Sequence, residues 1–473
     1  MPSFYHPCRT CQSVWKIATI SKRRHNRYVR SLKQFEDGMS GATKPKPLVP
    51  HIDICVECSG TGLVSSESFP KIHPHFPKVA IIGWGIAWMA LAIACLHRGI
   101  PYELYERDET FDARSQGYGL TLQQASKALE WLGIPRFKKG ITSIMHIVHD
   151  STGKIIGEWG RRRLNLDELE KVTKRRNVHI PRQVLRSDLR AALSHDTGVN
   201  WGYCLKHITQ DTDSKFLLEF ESHGKKEMVQ ADLVVGADGI RSSVRSMLMP
   251  SDPSPLRYLG CIVILGICPL DASWLWNHPL LDGETVFQTV NGHERIYMMP
   301  FDEESIMWQL SFPLPEEEAK TLSKKWAQAL RGEGIARLWK WHTPVPEILH
   351  ATDVSLITGY PVYDRQELDS QALQDFWDAT LIGDAMHPMS PFKGQGANQA
   401  ILDALQLART IYTKCGPSSQ WREIGLRNTL LSDFEEHMIT RSSLKVRDSA
   451  RQAELLHSDA VFHDGDMPRG RGI

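Results

Sequence analysis

The sequence predicts an α/β fold in which a parallel sheet with helices is joined to an antiparallel sheet. C-terminal helices follow, and a small cysteine-bearing segment stands in front. Three stretches predict this arrangement. The first, TLIGDAMHPMSPFKGQGANQAILDALQLA, covers residues 380–408. In it Leu381-Ile382 reads as a strand stopping at Gly383-Asp384, and a loop with Pro388 and Pro391 leads to Gly394-Gln395-Gly396. Leu402, Leu405 and Ala408 then recur at helical spacing. The unpaired N–H groups of such a helix start, beside glycines that admit a flat ligand, make a site for an anion or a dipole.

The second stretch runs from Val79 to Leu96, an almost uninterrupted apolar run of about the length that spans a bilayer. Its internal order argues for a βαβ unit instead. Lys78–Ile82 reads as a buried strand, Gly83-Trp84-Gly85 as a turn, Ile86–His97 as a helix and Pro101–Glu106 as the second strand. This is a Rossmann-like unit, and an acidic residue roughly twenty positions past the glycines is where a dinucleotide ribose binds. The third stretch begins at Tyr258, where the runs Cys261–Leu265, Glu284–Thr289, Glu294–Met299 and Ser305–Ser311 become strand-like. Asn291-Gly292 between two of them is a hairpin turn. They predict an antiparallel sheet that walls a substrate site.

A chain of 473 residues suits roughly two to four domains and ample core. A net charge of +1 gives no global field for nucleic acid or membrane, and 41% hydrophobic with 23% charged residues fits a soluble globular enzyme. Nine cysteines are too few for a disulfide scaffold, so a reducing, cytoplasmic setting is expected. Four of them form two CxxC pairs, Cys8/Cys11 and Cys55/Cys58. Each pair is a knuckle able to place two thiolates on one zinc, and two pairs complete a tetrahedral structural site. A rubredoxin-like iron site, or unrelated free cysteines, are the other readings. Between the pairs lies the basic run Ser21–Arg30. Such a run contacts nucleic acid or protein in some chains, and is more often a solvated face. The expected organisation is a zinc-knuckle segment over 1–65, a linker over 66–76, a nucleotide-binding domain over 77–255 and 364–415, a substrate domain over 256–363, and a helical C-terminal region and tail over 416–473.

Further signals lie between these stretches. Lys215–Phe220 and Lys226–Asp232 read as a hairpin. Leu233-Val-Val-Gly-Ala-Asp238-Gly239-Ile-Arg-Ser242-Ser-Val-Arg245 is a buried strand ending in Asp-Gly. Ser187–Leu193 reads as a helix behind Arg186, Pro315–Trp341 as helical, and Ser432–His457 as a polar helix packed on the outside.

The motif Gly383-Asp384-Ala385-x-His387-Pro388-x-x-Pro391-x-x-Gly394-x-Gly396-Ala397-Asn398, with the Asp238-Gly239 segment and the βαβ unit in order, resembles the FAD-dependent aromatic hydroxylases, the class A flavoprotein monooxygenases. The resemblance covers roughly residues 77–450. It implies one FAD, NAD(P)H as co-substrate and O2. Gly83 and Gly85 would approach the FAD pyrophosphate, Glu106 would take the adenosine ribose, and Arg107 follows as in many members. Asp238 and Gly239 would serve the pyrophosphate and the transient nicotinamide. Asp384 would meet the ribityl chain and the backbone of Gly394, Gly396, Ala397 and Asn398 the pyrimidine edge of the flavin ring, with Gly383 and Pro391 also among the cofactor-binding residues. An arginine one turn before a helix leucine points at FAD in the family; Arg186 fits best, and Arg182 has the same spacing. The Arg114–Leu122 segment resembles the one that passes near the flavin. His387 is expected to be structural. The second knuckle, CxxCxGxG, resembles the zinc unit of DnaJ-type chaperones.

The chain departs from the family at Trp88, which stands where the fingerprint has its third glycine. An indole there is expected to push helix and strand apart or to turn outward under strain. The implied activity is insertion of one oxygen atom into an aromatic, isoprenoid or other electron-rich small molecule, with no catalytic acid or base assigned. Two alternatives remain, a flavin oxidase or reductase without oxygen insertion, and a silent scaffold that binds a partner through its knuckles.

Overall fold

The computed structural model describes residues 4–39, 43–114, 117–134, 140–160, 177–193, 198–211, 215–270, 278–374 and 376–463. Ser115 and Gln116 of the Arg114–Leu122 segment, and the tail after 463, lie outside them. A five-stranded, all-parallel sheet carries the strands Val199–Trp201, Tyr102–Glu106, Val79–Ile82, Leu233–Gly236 and Ala379–Leu381, in that spatial order. The Ile86–Leu96 helix connects the second and third of these. Every one of its residues is buried, which is why its sequence mimics a membrane span. Among the described residues no helix is long and apolar enough to cross a membrane.

The antiparallel sheet has seven strands, in the order Ile155–Gly160, Met145–Asp150, Thr285–Val290, Arg295–Asp302, Ser305–Pro313, Leu256–Pro269 and Ile357–Arg365. The first two come from before residue 256, and Met145–Asp150 joins Thr285–Val290 in parallel. Neither strand shows in the sequence. Met145–Asp150 alternates poorly because two histidines, His146 and His149, interrupt the apolar residues. The hairpin Phe216–Ser222 with Lys225–Ala231 forms as expected.

Three local readings differ from the structure. The helix behind the Val178–Pro181 strand starts at Arg182, not Ser187, because Pro181 fixes the turn into it. The Ser432–Leu456 helix is not merely an outer layer. It buries Phe434, Met438, Val446 and Leu456, and its small Ser442, Ser443 and Ser449 let it approach closely. Trp88 neither turns outward nor strains the backbone. It is fully buried, its Nε1 donates to Ile81 O at 3.2 Å, and its ring lies 4.2 Å from that of Trp84. Trp84 in turn packs 4.4 Å from Trp201 on the edge strand. The space that a third glycine would close is filled by an aromatic layer instead.

The N-terminal segment forms two small two-stranded sheets, Phe4–Pro7 with Leu63–Ser66 and Lys16–Thr19 with His51–Ile54. The basic run lies in the Lys22–Glu36 helix, which has no buried residue, as a solvated face would. The expected linker is tied down: His73 N donates to Gly99 O, and Phe76 is buried in the main core.

Candidate active site

Parallel strands deliver their C-terminal ends to one edge, and the register fixes how level those ends are. Ile82 lies beside Tyr105 and Gly236, and Gly236 beside Leu381. Gly83, Glu106, Asp238 and Gly383-Asp384, far apart in the chain, therefore leave the sheet side by side. A cavity of about 610 Å³ opens there. All the expected site residues line it except Gly383 and Asn398, and Arg182 lines it together with Arg186. Its far wall is the antiparallel sheet, with Arg295, Tyr297, Met299, Gln309 and Tyr360.

Two glycines are required by geometry. At Gly83 φ is +113°, and a Cβ would stand 2.6 Å from Ala237 O and 2.7 Å from Asp238 Cα. At Gly383 φ is +60°, and a Cβ would stand 3.2 Å from Ala87 Cβ and 3.3 Å from Ala400 Cβ. Gly383 thus lets the Ile86–Leu96 and Gly396–Lys414 helices close over the loop between them.

Asn398, an expected ligand, is a loop builder, and so are Asp403, His387 and Arg245. Asn398 is fully buried; its Oδ1 accepts from Gln123 N at 2.8 Å and Ala125 N at 3.1 Å. Its Nδ2 donates to Thr121 O and Gly394 O, both at 2.9 Å. All of its capacity goes into joining the Gly394 loop to the segment at 121–125. Asp403, also fully buried, accepts from Gly383 N at 2.9 Å, His387 Nε2 at 2.7 Å and Arg441 Nη2 at 2.5 Å. Burial alone would raise its pKa, but the charges of His387 and Arg441 hold it below the usual carboxylate range. His387, bonded to this carboxylate, is not among the residues that line the cavity. Arg245 forks onto Asp252 at 2.8 and 2.9 Å, and its Nη1 donates to Ala385 O and Met386 O. It ties the Asp-Gly segment to the Gly383 loop rather than facing a ligand.

The groups that do face the cavity are set differently. Asp384 faces the cavity, and desolvation raises its pKa against the opposing pull of His387 and Arg182. Asp238 is raised by burial, although Ser242 Oγ–H and the N–H groups of Ser243 and Val244 donate to it. Glu106 accepts from Asp108 N at 2.9 Å. Arg186 is buried 4.7 Å over the Phe111 ring, whereas Arg182 lies 5.8 Å over Tyr118, nearer Asp384. The indole N–H of Trp84 is buried at the cavity wall with no partner among the described residues. Sequence reasoning missed Arg295 and the tyrosines at 118 and 360. The signal for Arg295 is a charged side chain inside an otherwise apolar strand, where it is 3% exposed.

A family model described as an FAD binding domain matches residues 77–339 and 366–415, more than half of the chain. The chain belongs to this FAD-binding family. Among curated relatives of this flavoprotein, aurachin C monooxygenase/isomerase of Stigmatella aurantiaca is 27% identical over 361 residues. The match covers 75% of this chain and 86% of that protein. 6-Hydroxynicotinate 3-monooxygenase of Pseudomonas fluorescens is 25% identical, over 71% of this chain and 82% of that one. Of solved structures, HpxO of Klebsiella pneumoniae, complexed with FAD and uric acid, superposes with a TM-score of 0.66 at 21% identity. It covers 82% of this chain and 90% of that one. 2,6-Dihydroxypyridine-3-hydroxylase of Arthrobacter nicotinovorans gives 0.66 at 17%, over 84% and 96%. The residues present suit FAD: a glycine turn with no room for a Cβ, a carboxylate facing the cavity, and an indole N–H with no partner among the described residues, all on one cavity.

Proposed function

We propose that this flavoprotein is a monooxygenase that inserts one oxygen atom of O2 into an aromatic or other electron-rich small molecule. The overall exchange is NAD(P)H, O2, a proton and the substrate giving NAD(P)+, water and the oxygenated product. The observation that carries this reading is the single cavity joining the Gly83/Glu106/Asp238/Asp384 edge to a wall of tyrosines, methionines, Gln309 and Arg295. The relatives' names support it. FAD, when bound, supplies electron transfer and oxygen activation.

The chain's own residues bind and orient. Glu106, at the end of its strand, accepts hydrogen bonds from the adenosine ribose, and the Gly83–Gly85 turn leaves room for the pyrophosphate. Asp238 and Gly239 flank that turn. Asp384 meets the ribityl hydroxyls, and the N–H groups at the start of the Gly396–Lys414 helix favour negative charge on the adjoining ring. Arg295, whose guanidinium lies 4.9 Å over Tyr297, presents a cation to an acidic or carbonyl-bearing aromatic substrate. The cysteines form no disulfide among the described residues, in keeping with a cytoplasmic setting.

The test is oxidation of NAD(P)H by the flavin-loaded chain over a panel of phenols, hydroxypyridines, quinolones and isoprenoids, with labelled dioxygen. Faster oxidation and one labelled atom in a product are expected. Peroxide as the only product across the panel would refute oxygen insertion.

A further inference from the structure

The N-terminal cysteines are brought together by the fold. Cys8, Cys11, Cys55 and Cys58 are all buried, and their sulfur atoms lie within 4.8 Å of one another. The Cys8–Cys55 sulfurs are 3.8 Å apart and the Cys11–Cys58 sulfurs 3.7 Å. A disulfide needs about 2.05 Å, so neither pair is bonded. Four sulfurs at about 2.3 Å from a tetrahedral zinc stand about 3.8 Å from each other, which the Cys8–Cys55 and Cys11–Cys58 distances match.

An independent observation concerns two cations beneath the cluster. Arg98, 1% exposed, donates from Nη2 to Ser13 Oγ at 2.7 Å and from Nη1 to Ala94 O at 2.9 Å. Arg409 donates from Nη2 to Thr61 O at 3.2 Å, in the second knuckle. All three acceptors are neutral, and among the described residues neither Nε has a partner and no carboxylate pairs with either arginine; Arg409, half-buried, has the Trp131 ring 4.9 Å away as its other neighbour. Burial and then the charge of Arg98 pull the Arg409 guanidinium down to about 9. Buried guanidinium groups without a counter-charge are costly.

We propose that the four cysteines hold zinc as a tetrathiolate whose net charge of about −2 is the counter-charge of Arg98 and Arg409. Zinc and four thiols give the complex and four released protons, with no redox change. Four neutral thiols, or two disulfides, would leave both cations uncompensated. Arg98 follows the Ile86–Leu96 helix and Arg409 lies in the Gly396–Lys414 helix, so the metal's charge seats the knuckles on the ends of both helices remote from the cavity.

The full-length chain is purified and its metals measured, then challenged with a chelator beside three variants. About one zinc per chain is expected, and none in Cys55→Ser/Cys58→Ser. Arg409→Gln should lose zinc to the chelator at a roughly 10-fold lower concentration, while Arg409→Lys stays near the parent. Cobalt-loaded parent chain should show tetrahedral thiolate absorption, a reading that needs no variant to fold. A chain that takes up neither metal overturns the site, and iron in place of zinc overturns its identity. An Arg409→Gln chain that holds zinc as tightly as the parent overturns the counter-charge.

Discussion

Replacing Trp88 by alanine tests whether the departure from the glycine fingerprint is a defect or a repacking. If the indole obstructed the cofactor, removing it would help. The structure says the reverse. Trp88 is fully buried, donates to Ile81 O, and supports Trp84, which forms part of the cavity wall. Deleting a buried tryptophan costs about 3–5 kcal/mol, because the strand and helix around it collapse only in part. Ile81 O also loses a hydrogen bond worth about 1 kcal/mol. Trp88→Phe keeps the ring contact with Trp84 and gives up the donor, so it should cost about 1–2 kcal/mol. Denaturant midpoints of the flavin-free chains give the stabilities, and flavin absorbance after gel filtration gives the occupancy. Trp88→Ala is expected to be the least stable and to hold the least FAD. An alanine variant as stable as the parent with higher FAD occupancy would refute this account and restore the obstruction.

Asp384→Ala should weaken FAD binding by roughly 1–3 kcal/mol through an unpaired ribityl hydroxyl, read by flavin titration; unchanged affinity would remove Asp384 from the site. Arg245→Met should destabilise by roughly 1–3 kcal/mol, measured by denaturation, since the Gly383 loop loses its tie while Arg365 still pairs with Asp252. Arg295→Met should raise KM for acidic aromatic substrates roughly 10-fold or more while leaving FAD content unchanged. Burial holds His149 and His457 down at about 4, so between pH 6.5 and 4 the unfolded chain binds protons that the folded chain does not. Stability should therefore fall as pH falls through this window, by at most roughly 3 kcal/mol for each histidine, and His149→Gln should flatten the profile.

The βαβ unit and the Gly383 loop were legible because each element there has a local cause. Val79–Ile82 is continuous apolar strand, Gly83 turns where no Cβ fits, and the Gly396–Lys414 helix begins at glycine and keeps its spacing. Met145–Asp150 was not legible, because it joins the sheet by pairing with Thr285–Val290, more than a hundred residues away, and Ile155–Gly160 is held only as the edge strand beside it. Trp88 was misread for a related reason. The fingerprint predicts close helix–strand contact at that position, but Trp201, the partner that completes the aromatic layer, sits on a strand no local pattern links to it.

The site shows the same division one level finer. A motif marks residues that a fold cannot change, and it does not say whether they touch the cofactor or build the loop that does. Asp384 and Asn398 stand in one motif, yet Asp384 opens on the cavity while every polar atom of Asn398 is spent on backbone. Arg182 and Arg186 share a spacing and a helix, yet one turn of rotation puts the first over Tyr118 toward Asp384 and the second over Phe111. Spacing leaves that choice open because both arginines precede a leucine by three residues. Only the start of the helix at Arg182, set by Pro181, decides which lies nearer Asp384. An Arg182→Met and Arg186→Met pair separates them. The first should weaken binding of the riboflavin half and of whole FAD alike, and the second only of ligands that carry the adenosine half. Equal losses from both variants, on both ligands, would mean that the two guanidinium groups serve a single subsite.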